Sequence, residues 1–443
     1  MSGRRAGPDR SPGMIGGRAD GRGQGVRVLI AALGSRGDVV GFVGLGRRLA
    51  ADGLDVTVAA NPEFADDVHA GGIGFAPLAG DARTISDLPS GWRTSPRALA
   101  AQADALTSYL ESTADDLVDA AQHADLLLCN VTAMFGVDVA EGLGIPSAGL
   151  FSQPIEPTRE FPPMLLHTAR SLGGVGNLLA GRVALRSAVP FHRASARVRS
   201  RLGLPRRSAA ATARALERQR WRVWHGWSPH VLPRPADWRP GLDVVGYWHP
   251  VVPDDWTPAP ELATFLDDGP APVYLGFGSM GHGRGAELSA IVADVVGRTG
   301  IRAVVHRGWA GLEVSSDRVC LVDHVPHAWL FPRMAAVVHH GGAGTAGAAF
   351  TAGVPVVTVP VYADQPLWAA RARALGVGPE PLPQARLTAA ALAERITDAT
   401  TRPEFRRTAA RLAAAIVDDD GAGAVAAALA DHGDRGDRGG QRS

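Results

Sequence analysis

The segment HHGGAGT, residues 339–345, has the composition of an anion-binding turn. It lies between the apolar run AAVV and TAGAAFTAG, a run of small residues typical of a helix. Glycines let the backbone approach a ligand closely, and the free N–H groups at a helix start attract negative charge. We therefore predict a diphosphate site that Thr345 and the helix start face, without a lysine or a metal ion. The alternative is a tight helix–strand crossing with two histidines as polar fillers.

A carboxylate follows the first predicted strand. GSRGDV, residues 34–39, is a glycine-rich turn that leads to a helix starting near Gly41, and it projects Asp38 into the predicted cleft. Asp38 could be the N-cap of that helix, since carboxylates accept the free N–H groups there. It could equally be a general base that takes the proton of an acceptor hydroxyl. The sequence leaves both interpretations open.

A second polar pair follows the strand after the HHGGAGT segment. Asp364 and Gln365 lie in a loop that enters another helix. Asp364 could be only an N-cap. Beside a phosphate site, the pair could equally hold sugar hydroxyls, because adjacent acceptor and amide groups suit a diol.

The segment GFGSMG, residues 276–281, formally matches G-x-G-x-x-G and raises the alternative of a nicotinamide enzyme. Such enzymes carry an acidic residue about 20 residues further on, at the end of the next strand. Here that strand ends in HRGW, residues 306–309, without an acid. Arg307 leaves an NADP-dependent oxidoreductase open, but a phosphate-binding turn with Ser279 is favoured.

Short apolar runs alternate with segments rich in Ala, Leu and Arg, which indicates βαβ units around parallel sheets. Two blocks of such runs predict an α/β protein with two Rossmann-like, doubly wound domains that face each other across a cleft. Residues 161–220 have a helical composition and predict insertion helices beside a pocket. The predicted strands are 26–33, 55–60, 73–78, 125–130 and 146–151, then 272–277, 301–306, 319–322, 335–340 and 355–360. The predicted divisions are a disordered tail (1–25), a first domain (26–240), a linker (241–270), a second domain (271–430) and another tail (431–443).

Composition narrows the function classes. The chain has 443 residues, of which 46% are hydrophobic and 20% charged, so it is globular and has two or three domains. Its net charge of +1 gives no field that would favour nucleic acid. All 45 basic residues are arginine, which excludes a P-loop lysine, a Schiff-base lysine and a lysine general base. Two cysteines in apolar runs, and a start without the apolar core of a signal peptide, predict a cytoplasmic protein.

The run VVHHGGAGT, followed by AGVP and ADQP, resembles the nucleotide-sugar-dependent glycosyltransferases of family 1, which have the GT-B fold. GSRGDV, PVYLGFGSM and VPHAWLFP agree with bacterial natural-product and sterol-type members, and the resemblance covers most of residues 26–430. It implies inverting transfer of a hexose from a UDP- or dTDP-linked sugar to a lipophilic acceptor such as a polyketide, macrolide, sterol or glycolipid precursor. The sugar nucleotide is a co-substrate, and no cofactor or metal is implied. A catalytically silent homologue is a further alternative.

The resemblance also implies residue roles. Asp38 would be the catalytic base, and the first domain would bind the acceptor. The donor would be bound in the second domain by Ser279, Trp309, Val325, His327, His340, Gly342, Gly344, Thr345, Asp364 and Gln365. Plant members carry a ribose-binding glutamate where this chain has Ala348, so dTDP is as admissible as UDP. Bacterial relatives continue the first turn as GDVQP, whereas this chain has Gly41 in place of the proline.

The acceptor side is less specific in the sequence. Candidate acceptor-binding residues are Ser35, Met134, Phe135 and Phe161, with the tryptophans at 221, 224 and 227 as further candidate walls. Core packing is the alternative for each apolar member of this set. We expect no nucleic-acid partner and at most peripheral membrane contact, for which the arginine-rich stretch 194–207 is the candidate surface.

Overall fold

Two parallel β-sheets organise the chain. The computed structural model describes residues 25–86, 96–187, 189–278 and 283–439. The first sheet has seven strands in the order β3-β2-β1-β4-β5-β6-β7. Its strands are β1 (Arg27–Ala31), β2 (Asp55–Ala60), β3 (Gly74–Pro77), β4 (Leu126–Cys129), β5 (Ser147–Phe151), β6 (Val223–His225) and β7 (Leu242–Val244).

The second sheet has five strands in the order β10-β9-β8-β11-β12, all parallel. Most of its strand residues are buried because helices cover both faces, and the strands therefore appear in the sequence as continuous apolar runs. The predicted class of two doubly wound domains is confirmed. The strands are β8 (Val273–Gly276), β9 (Ala303–His306), β10 (Val319–Val322), β11 (Ala336–His339) and β12 (Val356–Thr358).

Helices connect the strands and form the predicted insertion. In the first domain they are α1 (Arg36–Ala51), α2 (Ala65–Ala70), α3 (Arg83–Ser86), α4 (Pro96–Ala121), α5 (Gly136–Leu143), α6 (Gly174–Ser187), α7 (His192–Arg201) and α8 (Ala209–Arg218). The remaining helices are α9 (Pro260–Asp267), α10 (Gly285–Thr299), α11 (His327–Leu330), α12 (Ala343–Ala352), α13 (Gln365–Leu375), α14 (Ala389–Thr401), α15 (Pro403–Ile416) and α16 (Gly421–Gly439). No helix in the described ranges combines the length and apolar character needed to cross a bilayer.

Strands β6 and β7 were not predicted. Each has three residues, too few to show an apolar run or an alternating pattern. Strand β7 falls inside the predicted linker of residues 241–270, yet it pairs with β6 and extends the first sheet. The connection between the domains therefore begins after Val244.

The end of the chain returns to the first domain. Helix α16 packs against α1, and Val425 and Ala426 belong to the same apolar core as Val39 and Phe42. The indole N–H of Trp248 donates to the backbone oxygen of Gly421 at 3.2 Å. The structure continues this helix to residue 439, past residue 431, where the second tail was predicted to start. Residues 1–24 and 440–443 of the two predicted tails lie outside the described ranges.

A buried ion pair holds α7 to α5 and provides a stability prediction. Arg199 and Asp138 are 2% and 1% exposed, and they are joined at 2.6 Å, while a second nitrogen of Arg199 donates to the backbone oxygen of Pro205. Arg199→Leu leaves the Asp138 carboxylate buried without its cation, and we expect a loss of about 3–5 kcal/mol in unfolding free energy. Denaturant unfolding measures this loss. The double variant with Asp138→Leu should be more stable than the single one, and the opposite order would contradict the prediction.

Candidate active site

A large cleft lies between the two sheets and is bordered by loops from both domains. Its volume is about 1820 Å³. Pockets for one small ligand usually measure about 300–1,000 Å³, so the cleft has room for two substrates. Its walls include the loops that follow β1, β4 and β5 in the first domain and all five strands of the second. The site is therefore at the carboxyl ends of the strands, as expected for open parallel sheets.

Asp38 lies in the first turn of α1 and faces this cleft. The helix begins at Arg36 with Ser35 as its N-cap, earlier than the start predicted near Gly41. One carboxylate oxygen of Asp38 accepts the backbone N–H and the hydroxyl of Ser35, at 3.0 and 2.9 Å, and the other accepts the amide of Gln153 at 2.9 Å. Burial raises the pKa of the Asp38 carboxyl, although these hydrogen bonds oppose the shift. Asp38 thus stabilises the helix start and also presents a carboxylate to the cleft.

Helix α12 starts at the opposite wall of the cleft. Its N-cap is Gly342, which has no side chain to accept the first N–H groups of the helix. Those groups border the cleft, and the positive end of the helix dipole adds to their attraction for an anion. A Cβ added to Gly344 would lie 3.4 Å from the backbone oxygen of Gly37. The starts of α1 and α12 therefore meet across the cleft.

The two adjacent histidines have different surroundings. His339 is fully buried, and its Nδ1 accepts the N–H of Gly341 at 3.0 Å. His340 borders the cleft, and its buried Nδ1 has no hydrogen-bond partner among the described residues. Burial, with a smaller effect of His306, lowers the pKa of His340 to about 4. His340 is therefore neutral near pH 7 and offers a ligand an N–H group without a positive charge.

Asp364 is a second buried carboxylate of the cleft. Burial raises its pKa to about 7, and the charge of Asp38 contributes to the increase. The indole N–H of Trp368 donates to Asp364 at 2.7 Å, and the N–H of Ala343 at the start of α12 also favours the charged form. The loop before α13 is thus joined to the helix start that was predicted to bind the diphosphate.

Gln365 shapes the same loop. Its side-chain oxygen accepts the N–H groups of Val361 and Tyr362, at 2.8 and 3.3 Å. Because the oxygen is used within the loop, the side-chain nitrogen is the group that Gln365 can offer to a ligand in the cleft.

Comparisons with known proteins agree with this geometry. Residues 28–162 match the glycosyltransferase family 28 N-terminal domain, and residues 292–432 match the C-terminal domain of proteins like erythromycin biosynthesis protein CIII. Two sterol 3-beta-glucosyltransferases of Arabidopsis thaliana are each 33% identical over 91% and 92% of this chain, which spans 65% and 68% of their lengths. The chain belongs to the family 1 glycosyltransferases. It spans only 25% of a Cryptococcus neoformans sterol 3-beta-glucosyltransferase that is 30% identical.

Solved structures show the fold of this family member to be GT-B, as predicted. The glycotransferase of kitacinnamycin aligns with a TM-score of 0.67 at 19% identity, covering 92% of this chain and 99% of its own. The glycosyltransferase VinC, solved in complex with DTDP, aligns with a TM-score of 0.60 at 20% identity, covering 93% and 100%. Membership of this family leaves the nicotinamide-enzyme alternative without support.

Three residues that the resemblance assigns to donor binding lie together on the second-domain side. Trp309, Val325 and His327 all border the cleft. The rings of His327 and Phe331 are stacked, with their centroids 4.2 Å apart. Burial lowers the pKa of His327 to about 3, so its ring is neutral. Trp309 also packs against an apolar cluster of the first domain and thus bridges the two walls. Ser279 lies outside the described residues.

The two departures from the family pattern have different consequences. Ala348 borders the cleft and brings no carboxylate to it. Gly41 packs tightly, since a Cβ there would lie 3.0 Å from the backbone oxygen of Trp248. At Gly44 a Cβ would lie 1.8 Å from the backbone oxygen of His249, so no larger residue fits there without a shift of the backbone. Helix α1 therefore rests directly on the backbone of the interdomain connection.

The acceptor wall differs in part from the prediction. Met134 and Phe135 border the cleft. Phe161 is not among the residues of that wall: it is 7% exposed and packs in the apolar core that contains Trp238, whereas Met164 further along reaches the cleft. Trp221 borders the cleft, whereas Trp224 and Trp227 lie in the core.

Two polar residues of the cleft were missed in the sequence. Gln153 orients Asp38, and Glu156 borders the acceptor side, where burial raises its pKa to about 7. Both follow the carboxyl end of β5. Ligands bind beyond the carboxyl ends of parallel strands, so the position of these two residues after β5 indicates the cleft in the same way as the turns after β1 and β11. In the described ranges, no group of three or more His, Cys, Asp or Glu side chains is arranged to hold a metal ion.

His167 joins the acceptor side to the loop of Asp364. Its Nδ1 accepts the N–H of Ala363 at 2.9 Å, and its ring packs edge-on against Tyr362. His167 and Ala363 both have positive φ, 50° and 55°, a backbone conformation that costs energy in residues other than glycine. The contact therefore holds two strained backbones together beside the cleft.

We expect His167→Ala to raise the KM for the donor by about tenfold, because one hydrogen bond of roughly 1.5 kcal/mol no longer holds the loop of Asp364. His167→Asn should restore most of the affinity, since asparagine tolerates positive φ and offers an acceptor oxygen. Steady-state kinetics of both variants test this role. Equal KM values for the alanine and asparagine variants would contradict it.

Proposed function

We propose that the chain transfers a hexose from a UDP- or dTDP-linked sugar to a hydroxyl group of a lipophilic acceptor, with inversion at the anomeric carbon. The names of the relatives support the class of reaction, and a structural neighbour was solved with a nucleoside diphosphate. The observation that carries the proposal is the contact between Gly37 and Gly344, which brings a carboxylate from one domain to an anion-binding helix start of the other.

Asp38 acts as the base in this proposal. The acceptor hydroxyl attacks the anomeric carbon from the face opposite the diphosphate and gives its proton to the carboxylate. The new carbon–oxygen bond forms as the bond to the diphosphate oxygen breaks, so an α-linked donor yields a β-glycoside. Ser35 and Gln153 orient the carboxylate, and its raised pKa makes it a stronger base than an exposed aspartate.

The leaving diphosphate accumulates negative charge, and helix α12 stabilises it. The first N–H groups of the helix, the hydroxyl of Thr345 and the N–H of His340 are the donors. Asp364 and Gln365 hold the hexose, while Trp309, Val325 and His327 border the nucleoside. Neither a metal ion nor a bound cofactor has a role in this proposal.

The acceptor is proposed to lie in the first-domain part of the cleft. Apolar side chains such as Met134 and Phe135 form much of this wall, which supports a lipophilic aglycone of the sterol, polyketide or glycolipid kind. Reaction in the cytoplasm is part of the proposal, supported by two free cysteines, of which Cys129 is buried.

Incubation with UDP-glucose and with dTDP-glucose, followed by mass spectrometry, tests the proposal without knowledge of the acceptor. Slow release of UDP or TDP, and faster release with sterols or macrolide aglycones, is the expected result. A protein that binds UDP or TDP by calorimetry but releases neither with a broad acceptor panel would be the catalytically silent homologue. Binding of NADPH without binding of either diphosphate would overturn the proposal.

The pH dependence of the reaction follows from Asp38 and Asp364, the two carboxylates that have a role in the proposed transfer. Both act in their ionised form, so kcat/KM for the donor should rise with pH through about 7, the pKa of Asp364, and then level off. Below that value we expect a decrease of about tenfold per pH unit. In Asp364→Asn the rise should move to lower pH, where Asp38 alone determines it. A rate that falls as the pH rises through neutrality would contradict this assignment.

A further inference from the structure

Helix α6 carries an exposed apolar stripe beside the cleft. Leu172, which lies two residues before the helix, and Val175, Leu179 and Val183 are between 53% and 69% exposed. The last three follow one another at intervals of four residues along one face of the helix. Of the eight exposed large apolar side chains in the described ranges, six lie between residues 165 and 183. Such a concentration is unusual for a surface that faces only water. We call these four residues the α6 stripe.

The opposite sides of the same helix are occupied. Asn177 and Gly181 are buried, and a Cβ on Gly181 would lie 3.1 Å from Pro157. Leu178 and Leu185 border the cleft. The stripe is thus the outer face of a helix whose inner face forms part of the acceptor wall.

The segment of the chain that carries the stripe is positively charged. Residues 165–187 contain Arg170, Arg182 and Arg186 and no acidic residue, although the whole chain has a net charge of only +1. All three arginines are exposed, and no ion pair involves them in the described part of the chain; Arg182 and Arg186 lie at the border of the cleft, whereas Arg170 lies outside its wall. An apolar face bordered by free arginines complements an anionic lipid surface.

The stretch 194–207, which the sequence suggested for membrane contact, has a different charge balance. Acidic side chains of α4 and α5 neutralise four of its arginines. These ion pairs are Arg197–Asp115, Arg199–Asp138, Arg201–Asp119 and Arg207–Glu141. Free positive charge beside an apolar face is therefore found at α6.

We propose that the α6 stripe docks the protein on an anionic lipid bilayer, with the stripe in the acyl boundary and Arg170, Arg182 and Arg186 among the headgroups. The docking itself does not depend on the catalytic activity. Its consequence does rest on the proposed function: a lipophilic acceptor would pass from the bilayer along Leu165 and Met164, which border the cleft, without crossing water.

Flotation of the full chain with vesicles tests the docking. We expect binding to phosphatidylcholine vesicles that contain phosphatidylglycerol and little binding to phosphatidylcholine alone. The double variant Leu179→Ser/Val183→Ser should bind the mixed vesicles at least about tenfold more weakly, since several buried methylene groups are lost. Arg170→Gln, at an arginine outside the cleft wall, should weaken binding about fivefold. Val417→Ser is the matched control, because Val417 is 74% exposed but far from α6 in the chain.

Three results would overturn the docking proposal. They are no binding of the wild type to mixed vesicles, equal binding by the double variant, and a wild-type dimer in solution that the double variant converts to a monomer. The last would mean that a second copy covers the stripe. Donor hydrolysis without vesicles separates this proposal from the catalytic one: the double variant should keep the wild-type rate, and vesicle binding by an inactive wild type would defeat only the proposed function.

Discussion

Asp38→Asn is expected to lower kcat by about 10²- to 10⁴-fold, the usual contribution of a positioned general base. Asparagine has the same shape and keeps an oxygen for the N–H of Ser35, so the start of α1 should remain intact. It cannot take a proton from the acceptor. The dissociation constant for UDP or TDP should change by less than about twofold, because diphosphate binding depends on α12. Single-turnover kinetics and calorimetry measure the two quantities.

A matched control for this variant is Asp66→Asn, which makes the same exchange at an exposed position in the first turn of α2. It should leave both kcat and nucleotide affinity unchanged. Transfer by Asp38→Asn at the wild-type rate would assign Asp38 to helix capping alone. A large loss of UDP or TDP affinity in Asp38→Asn would show instead that the variant disturbs the contact between the two helix starts.

The residues that could be predicted are those whose chemistry is local in the chain. The glycines before α12 and the aspartate in the first turn of α1 lie at helix starts that border the cleft, and a few consecutive residues were enough to predict both positions. Ten of the twelve strands in the described ranges, β1–β5 and β8–β12, were also predicted, since most of them are buried on both faces and appear as continuous apolar runs.

The residues that were missed depend on distant partners. Gln153 matters because its amide reaches Asp38 from another loop, and His167 because it meets Ala363 of the second domain. Phe161 is apolar in either environment, so only the packing around Trp238 assigns it to the core. Strand β6 forms by pairing with the edge of β5, and β7 by pairing with β6. Three residues are too few to show this pairing as a pattern in the sequence.

The position of α1 links Asp38 to both connections between the domains. Gly41 and Gly44 rest on the backbone of the interdomain connection, and α16 returns from the second domain to pack on the same helix. Both crossings between the domains therefore contact the helix that carries Asp38. A change of angle between the domains would therefore change the separation of Gly37 and Gly344, which lie close together in this structure.

His340→Ala is expected to lower kcat by about 10²- to 10³-fold, as the loss of one hydrogen-bond donor to a developing negative charge usually does. The donor is a neutral N–H group, because the pKa of His340 is about 4. kcat should therefore not decline between about pH 6 and 8, where an ordinary histidine would lose its charge. His340→Gln should recover part of the rate, since its amide also offers an N–H. Stopped assays of product formation over this range measure both effects.

The neighbouring histidine provides the control. His339 uses its Nδ1 inside the turn, for the N–H of Gly341, and it is fully buried. His339→Asn keeps an acceptor for that N–H and should retain most of the activity, although the fold should be less stable because a buried ring is lost. Should His339→Asn lose as much activity as His340→Ala, the effect would belong to the folding of the glycine turn and not to stabilisation of the leaving diphosphate. Full activity of His340→Ala would show that this residue does not take part in the reaction. The negative charge of the leaving diphosphate would then be stabilised by α12 without His340.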